Sequence, residues 1–295
     1  MFVKAIKELT KFTRPMQTIS RAYGHKEIIP GLSTLFFVNE NGVAITCKHV
    51  AQLIISADPT NQQFSQFRTE RDQLAKDGKY QRNVKGLELK YKYQKDTTIQ
   101  IKNNFVGAVD HLKEITVHQH KTYDLAIVQL KGYNQIHYES FARFLKDTSK
   151  IEQGKYLCRL GYPFPEYSNY QYDPTTDDIL FDNSKQANVP IFPIDGIITR
   201  NIAENNELMG IEMSTPGLRG QSGGPLFDEN GIIYGMQQST KHLHLGFDIE
   251  NKEILVNGMK KKIHDYAFLH LGQCLRVDII KQFLDEHNIK YYEEE

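Results

Sequence analysis

Three side chains in this sequence are of the types that nucleophilic catalysis needs, and each stands where a predicted element begins or ends. Ser222 lies in the glycine-rich stretch RGQSGGP, His49 ends the apolar run AITCKH, and Asp124 opens the apolar run DLAIVQL. A serine hydroxyl is a weak nucleophile until an imidazole accepts its proton, and a carboxylate can fix the tautomer of that imidazole. The set predicts a nucleophile, a base and a group that orients the base.

The glycines around Ser222 have a chemical interpretation of their own. Gly220 and Gly223 allow a tight backbone conformation that a β-carbon would obstruct. Such a turn can direct the N–H groups of Gly220 and Ser222 to one point, and two converging donors make an oxyanion hole. The alternative is a glycine-rich structural turn that contains an incidental serine.

Composition restricts the class of protein. The chain has 295 residues, 40% of them apolar, and its 36 basic side chains balance its 36 acidic ones, so a nucleic-acid partner is not expected. Cys47, Cys158 and Cys274 are far apart and include no CxxC pair, so we expect neither disulfides nor a metal site. We expect no cofactor and no membrane span, and a reducing, cytoplasmic location.

Amphipathic patterns predict a helix at each end of the chain. Residues 1–17 place Phe2 and Leu9 at helical spacing before Pro15, and packing on the domain is favoured over a membrane surface. Near the other end, within a C-terminal segment 263–295, RVDIIKQFLDEH predicts a helix with Asp278 as its N-cap.

Between the helices the pattern predicts short strands in two sets, at 18–150 and 151–262. The turns Asn41–Gly42 and Asn230–Gly231 predict β-hairpins. This pattern favours an all-β fold made of barrels or sandwiches. A polar stretch at about 58–95, with one plausible helix near its middle, is interpreted as a surface insertion in the first set.

The segments TCKHV, YDLAIVQL and GQSGGPLFDENGIIYGM resemble the signature segments of trypsin-like, chymotrypsin-fold serine peptidases. The opening hairpin GLSTLFFVNENGVAITCKHV and the later segment GKYLCRLGYPFP resemble the bacterial intracellular, HtrA-type branch most closely. The resemblance covers roughly residues 30–245, and Gly-x-Ser-Gly-Gly-Pro is a specific motif. Too few residues follow the second set of strands for the PDZ domain that many HtrA-type proteins carry.

The resemblance implies two six-stranded antiparallel β-barrels with the active site in the cleft between them. His49 would be the general base, Asp124 its orienting carboxylate and Ser222 the nucleophile that forms an acyl-enzyme on a protein or peptide substrate. Gly220 and Ser222 would supply the oxyanion hole. Gln221 stands where members activated by cleavage have an aspartate, so we expect no activation of that kind.

Family position also implies which residues contact the substrate. Two segments would form the walls of the pocket for the residue before the scissile bond, and the second would pair with the substrate as an added strand. These residues are Thr215, Pro216 and Gly217 on one wall and Gln237, Gln238 and Ser239 on the other. Pro216 lies near the expected pocket floor, so a preference for Arg or Lys by an acidic floor is not supported. His242 and His244 either reach the pocket or lie on the surface of a strand.

Three functions agree with these residues. The leading hypothesis is an active serine endopeptidase. The second is a catalytically silent trypsin-like barrel that acts as a binding module, and the third is an esterase that uses the same three groups. The insertion at 58–95 either overhangs the substrate cleft or decorates the first barrel.

Overall fold

A computed structural model describes residues 1–182, 184–204 and 207–295. The described helices are α1 (Val3–Thr10), α2 (Lys48–Asp72), α3 (Tyr80–Tyr91) and α4 (Val277–Glu286). Nowhere in the described residues is there a helix with both the length and the apolar character that crossing a membrane requires.

The first half of the chain forms a curled antiparallel sheet of six strands in the order β4-β1-β2-β3-β6-β5. The strands are β1 (Thr13–Ala22), β2 (Ile28–Phe37), β3 (Val43–Thr46), β4 (Thr98–Phe105), β5 (Glu114–Gln119) and β6 (Ala126–Lys131). Helix α2 packs against both edge strands, β4 and β5. On the β4 side, the Asn61 side chain accepts a hydrogen bond from the Ile101 N–H at 3.0 Å and donates one to the Ile101 carbonyl at 2.7 Å. The side chain of Asn61 thereby takes the place of a neighbouring strand.

The second half forms a closed barrel. Its sheet has the order β13-β8-β11-β12-β15-β14, and β13 also pairs with β14, which closes a ring of six antiparallel strands. The ring strands are β8 (Tyr156–Gly161), β11 (Phe192–Glu204), β12 (Glu207–Met213), β13 (Pro225–Phe227), β14 (Ile232–Val256) and β15 (Met259–Arg276). Two short strands, β7 (Arg143–Phe144) and β16 (Tyr292–Glu293), extend this sheet beside β14. A separate hairpin consists of β9 (Tyr170–Asp173) and β10 (Asp178–Phe181). The predicted pair of six-stranded barrels is confirmed.

Both predicted hairpins are present, and a glycine with positive φ makes each turn. Gly42 has φ +72° between β2 and β3, and Gly231 has φ +81° between β13 and β14. These conformations are the ones that asparagine–glycine turns favour.

Both ends of the chain contact both barrels. Helix α1 packs beside β1, and Phe2, its N-cap, packs edge-on against Phe227 of the second barrel at 6.0 Å between ring centroids. Helix α4 packs against β14 and β15, and the ring of its Phe283 lies 5.0 Å from that of His120 in the first barrel. One cluster of buried apolar side chains runs through both barrels. The two halves therefore share a core.

Several predicted boundaries are wrong. The first helix ends at Thr10, and Pro15 lies inside β1, where its fixed φ is compatible with a strand near the end of a barrel. The C-terminal helix begins at Val277 with Arg276 as its N-cap, so Asp278 lies in the first turn.

The second set of strands also extends further than 262. Strands β14 and β15 continue past the barrel as one long hairpin that turns at Asn257 and Gly258, so residues 263–276 are strand. Of the residues predicted to belong to the second barrel, 183, 205 and 206 lie outside the described residues.

The insertion at 58–95 contains most of α2 and all of α3. Phe64 and Phe67 of α2 pack with Tyr91 and Tyr93, which gives the insertion a small core of its own. The predicted helix in this region is therefore real, but it starts at Lys48 and continues through Pro59.

Replacing Phe67 by alanine should remove the centre of this small core. Phe67 is fully buried, and truncating a buried phenylalanine typically lowers the free energy of unfolding by about 3–5 kcal/mol. Leu89→Ala on α3 is the control, because Leu89 is 81% exposed. Urea denaturation of both variants measures the difference, and equal stabilities would contradict the packing described.

Candidate active site

His49 and Asp124 are brought together by the pairing of β3 with β6. His49 follows β3 in the first turn of α2, Asp124 precedes β6, and the two strands pair with Thr46 opposite Ala126. The His49 Nδ1 lies 2.7 Å from Asp124 Oδ2, and the His49 backbone N–H donates to Asp124 Oδ1 at 2.9 Å. The carboxylate therefore holds both the ring and the backbone of His49. About half of the His49 side chain remains exposed, on the side away from Asp124.

The hydrogen bonds from His49 set the charge of Asp124. Burial opposes ionisation of this carboxyl group, but the ring and backbone hydrogen bonds from His49 outweigh it and hold the pKa of Asp124 below its usual value. Asp124 therefore carries a negative charge at neutral pH and can stabilise a positive charge on the imidazole.

Ser222 lies in the loop between β12 and β13, opposite His49 across the interface of the barrels. Ser222 and His49 line the same cavity, which has a volume of about 520 Å³. In this structure the Ser222 hydroxyl donates to the Gln238 carbonyl at 3.3 Å. Within the described part of the chain, the structure contains no hydrogen bond between Ser222 and His49.

The glycines around Ser222 have the conformation and the close contacts that the sequence predicted. Gly220 and Gly223 have φ of +95° and +86°. A β-carbon on Gly223 would lie 2.1 Å from the Thr34 carbonyl oxygen, and one on Gly224 would lie 2.0 Å from that of Leu160. Each of these positions therefore excludes any larger residue.

The amides of Gly220 and Ser222 are available to a ligand. Across residues 1–182, 184–204 and 207–295, neither amide donates a hydrogen bond within the protein. Gly220 and Ser222 line the same cavity as His49. Two free donors beside a hydroxyl can stabilise a developing oxyanion.

Thr34 is a residue of the site that sequence reasoning missed. This fully buried side chain of β2 donates to the Gly220 carbonyl at 2.8 Å and accepts from the Tyr162 N–H at 3.1 Å. Its backbone N–H donates to the Ser222 carbonyl at 3.0 Å. The first barrel thereby fixes the carbonyls of Gly220 and Ser222, the two residues on either side of Gln221. A threonine inside an apolar strand, in STLFFV, was the available signal.

Gln221 and Gln238 complete the positioning of this loop. Gln221 is fully buried, donates to the Phe192 carbonyl at 3.0 Å and accepts from the Leu218 N–H at 3.0 Å. The side chain is therefore satisfied by neutral groups nearby. Gln238 Nε2 donates to the Asp124 carbonyl at 3.1 Å, which ties the second barrel to the first beside the His49–Asp124 pair.

The residues predicted to contact substrate lie around a second cavity of about 480 Å³ that also reaches Ser222. Its lining residues are Pro216, Gly217, Leu218, Arg219, Ser222, Gln237, Gln238, Ser239, Thr240, His242 and His270. Thr215 is the exception: it lies behind the wall and donates to the Asp195 carbonyl at 2.7 Å. His242 reaches this cavity, whereas His244 pairs with Asp248 at 2.7 Å.

The insertion does not contribute to either cavity. Among the residues described, none from 58–95 lines the cavity of His49 or the second cavity. Arg71 of α2 instead pairs with Asp177 at 3.4 Å, on the β9–β10 hairpin. This placement agrees with the alternative that the insertion decorates the first barrel.

Cys47 lies close to His49 and Asp124, with one potential ligand atom of each within 4.8 Å of the others. Each member of this trio already has a hydrogen-bond partner in the protein. Burial raises the pKa of the Cys47 thiol well above its usual value, and the thiol donates to the Gln237 carbonyl at 3.3 Å.

His120 shapes the turn that leads to Asp124. Its Nδ1 accepts the N–H groups of Thr122 at 3.1 Å and Tyr123 at 2.9 Å, which requires that nitrogen to be unprotonated. Lys48, next to His49, donates to the His120 carbonyl at 2.8 Å. Burial lowers the pKa of His120; Glu286 opposes this shift, and Lys48 and His287 add to it.

Two β-barrels with a histidine–aspartate pair facing a serine in a glycine-rich loop define the chymotrypsin-like class of fold and site. The trypsin-like peptidase domain family matches residues 33–236, a span that is more than half of the chain and includes His49, Asp124 and Ser222. The chain therefore belongs to the trypsin-like peptidase domain family. No curated protein matches it. The closer likeness to the HtrA-type branch stays a prediction.

Replacing Thr34 by valine tests how the barrels hold the serine loop. Valine keeps the shape but leaves the Tyr162 N–H and the Gly220 carbonyl without their side-chain partner, and a buried unsatisfied group costs about 1–3 kcal/mol. We expect the free energy of unfolding to fall by about that amount. Thr34→Ser, which keeps the hydroxyl, is the matched control. If serine and valine destabilise equally, the hydroxyl does not have this role.

His120 should make stability sensitive to mild acid. Because folding lowers the pKa of His120, the unfolded chain binds the proton more readily, and stability falls as the pH drops below the unfolded value of about 6.5. His120→Asn should reduce this loss, since an asparagine oxygen can accept the same two N–H groups without titrating. Part of the loss of stability in acid should remain in this variant, because burial also lowers the pKa of His118.

The measurement is urea denaturation of the wild type, His120→Asn and His120→Ala at neutral and mildly acidic pH. His120→Ala should be less stable than His120→Asn at neutral pH, because alanine offers no acceptor. An unchanged pH dependence in His120→Asn would contradict the role of Nδ1.

Proposed function

We propose that this protein is a serine endopeptidase that uses Ser222, His49 and Asp124. The observation that carries the proposal is the position of His49: two hydrogen bonds to Asp124 hold it, and its ring faces the cavity that contains the Ser222 hydroxyl. Membership of the trypsin-like peptidase domain family supports hydrolysis of protein or peptide substrates.

The reaction begins with a rotation of the Ser222 hydroxyl from the Gln238 carbonyl to the free ring nitrogen of His49. Hydrogen bonds of this kind are often loose before substrate binds. The imidazole accepts the proton as Ser222 Oγ forms a bond to the carbonyl carbon. The carbonyl oxygen becomes negative and is stabilised by the amides of Gly220 and Ser222.

Collapse of this intermediate breaks the C–N bond, and His49 gives its proton to the leaving amine. An acyl group then remains on Ser222. Water repeats the sequence: it loses a proton to His49, attacks the ester and releases the acid, and the proton returns to Ser222. Asp124 stays ionised throughout and stabilises the imidazolium that forms twice.

The hydrogen bond from Ser222 to Gln238 is the one observation in favour of a silent binding module. Against it, the histidine, aspartate and serine are all present, and neither loop amide donates to another of the described residues. An esterase would use the same groups, and the rates on matched ester and amide substrates distinguish it. The cytoplasmic location inferred from cysteine usage is likewise a proposal.

Replacing Ser222 by alanine should abolish peptide hydrolysis and labelling by a fluorophosphonate probe, because the attacking oxygen is removed. Loss of the nucleophile in such a triad lowers the rate by about 10⁶-fold. Ser56→Ala is the matched control: Ser56 lies on the same helix as His49, its hydroxyl donates to the Gln52 carbonyl at 2.7 Å, and it is not among the described residues that line either cavity.

Labelling is followed by intact-protein mass spectrometry, and hydrolysis with a peptide library. A wild-type protein that neither reacts with the probe nor cleaves any peptide would contradict the proposed function. Labelling that persists in Ser222→Ala would place the nucleophile elsewhere.

A further inference from the structure

Two cavities meet at Ser222, and the position of His49 assigns a part of the substrate to each. This assignment rests on the proposed function. His49 lines the cavity of about 520 Å³ but not the one of about 480 Å³. Because the imidazole must give its proton to the leaving amine, the leaving half of the substrate lies on the His49 side. The side chain on the acyl side of the scissile bond therefore points into the second cavity.

The second cavity is crossed by a bridge between its walls. One wall is the segment 216–219 that precedes Ser222, and the other is the segment 237–240. The Thr240 hydroxyl donates to the Gly217 carbonyl at 2.8 Å and accepts the Gly217 N–H at 2.9 Å. A substrate side chain that enters between the walls meets this bridge directly.

The space behind the bridge is already filled by Gln237. Only 2% of Gln237 is exposed, and its Nε2 lies 2.2 Å from the point that a β-carbon on Gly217 would occupy. Gln237 Nε2 donates to the Ser239 carbonyl at 2.7 Å, and its Oε1 accepts from Arg159 Nη1 at 2.7 Å. Both ends of the amide are therefore held in place.

Arg159 bonds both to Gln237 and to the wall that contains Pro216. It is fully buried, and its Nη2 donates to Thr215 Oγ1 at 2.6 Å and to the carbonyls of Thr215 and Pro216 at 2.9 and 3.1 Å. Arg159 also lies against Gly272, where a β-carbon would be 2.0 Å from Nη1. This network fixes the wall at 215–217, so a substrate side chain cannot push it aside at low cost.

The charges around the cavity exclude a basic side chain. Every side-chain hydrogen bond that the structure gives Arg159 within the described residues ends on an uncharged acceptor. No aspartate or glutamate of the described residues lines the cavity, whereas Arg219 does. An arginine or lysine placed there would therefore find no acidic partner among the described residues that line the cavity.

We propose that the residue on the acyl side of the scissile bond is small and uncharged, such as alanine, serine or glycine, and that Thr240 determines this preference. A larger side chain has to break the bridge to Gly217 and displace Gln237. One misplaced methylene group in a packed pocket changes the specificity constant by about 10–200-fold, so leucine, phenylalanine and arginine at this position should be poor substrates.

The experiment compares fluorogenic peptides that differ only in this residue: alanine, leucine, phenylalanine, glutamate and arginine. For the wild type, kcat/KM for the alanine peptide should exceed that for each larger residue by at least about tenfold. Thr240→Gly removes the bridge and should raise kcat/KM for the leucine or phenylalanine peptide, relative to alanine, by about tenfold. Thr240→Ser keeps the hydroxyl and should keep the preference for alanine.

The outcomes separate this inference from the proposed function. Cleavage of the phenylalanine or arginine peptide by the wild type as fast as the alanine peptide would overturn it, and so would an unchanged preference in a folded Thr240→Gly variant. If Thr240→Gly does not fold, the kcat/KM values of the wild type for the peptide series decide the question. If Ser222 does not react with the fluorophosphonate and no peptide is cleaved, the proposed function fails and this inference falls with it.

Discussion

The whole site depends on the hydrogen bonds that join Thr34 of the first barrel to the serine loop of the second. The Thr34 backbone and side chain hold the carbonyls of Ser222 and Gly220, at 3.0 and 2.8 Å. Gly223 must lack a β-carbon because the Thr34 carbonyl occupies that space. The loop therefore receives its conformation from a strand far away in sequence. Without this contact, the loop would keep its bonds within the second barrel but would lose its direct bonds to the first barrel, which carries His49.

The chemistry of the site could be predicted from the sequence because local patterns encode it. The glycines around Ser222, the strand end before His49 and the turns at Asn41–Gly42 and Asn230–Gly231 are short-range signals. Thr34 and Arg159 could not be found in this way. Their roles come from partners in other segments, and each occurs in an apolar stretch where a polar residue has no local reason to be. The full length of α2 could not be predicted from the sequence, because its composition is largely polar. Its apolar side chains make their contacts with α3 and β4, which lie later in the sequence.

The cleft is asymmetric in what it offers a substrate. Apolar side chains such as Leu32, Val50 and Leu53 line the cavity beside His49. The opposite cavity is bounded by hydrogen-bonded polar groups, with a fully buried guanidinium behind them. Burying a charge is costly unless its hydrogen bonds are satisfied. The terminal nitrogens of Arg159 meet this condition through neutral oxygens of the wall and of Gln237, whereas its buried Nε has no partner among the described residues. The bonds of the terminal nitrogens also make that wall rigid. Shape and rigidity, rather than an ionic contact, therefore govern what this side of the cleft accepts.

The contacts that the two ends of the chain make across the barrels limit how the molecule can be divided. Phe2, at the start of the chain, packs on Phe227 of the second barrel, and Phe283 of α4, near the end, packs on His120 of the first. A cut in the linker between the barrels would separate both of these pairs. It would also expose part of the apolar cluster that runs through both halves. Each barrel therefore completes the core of the other, and we expect neither to be stable alone.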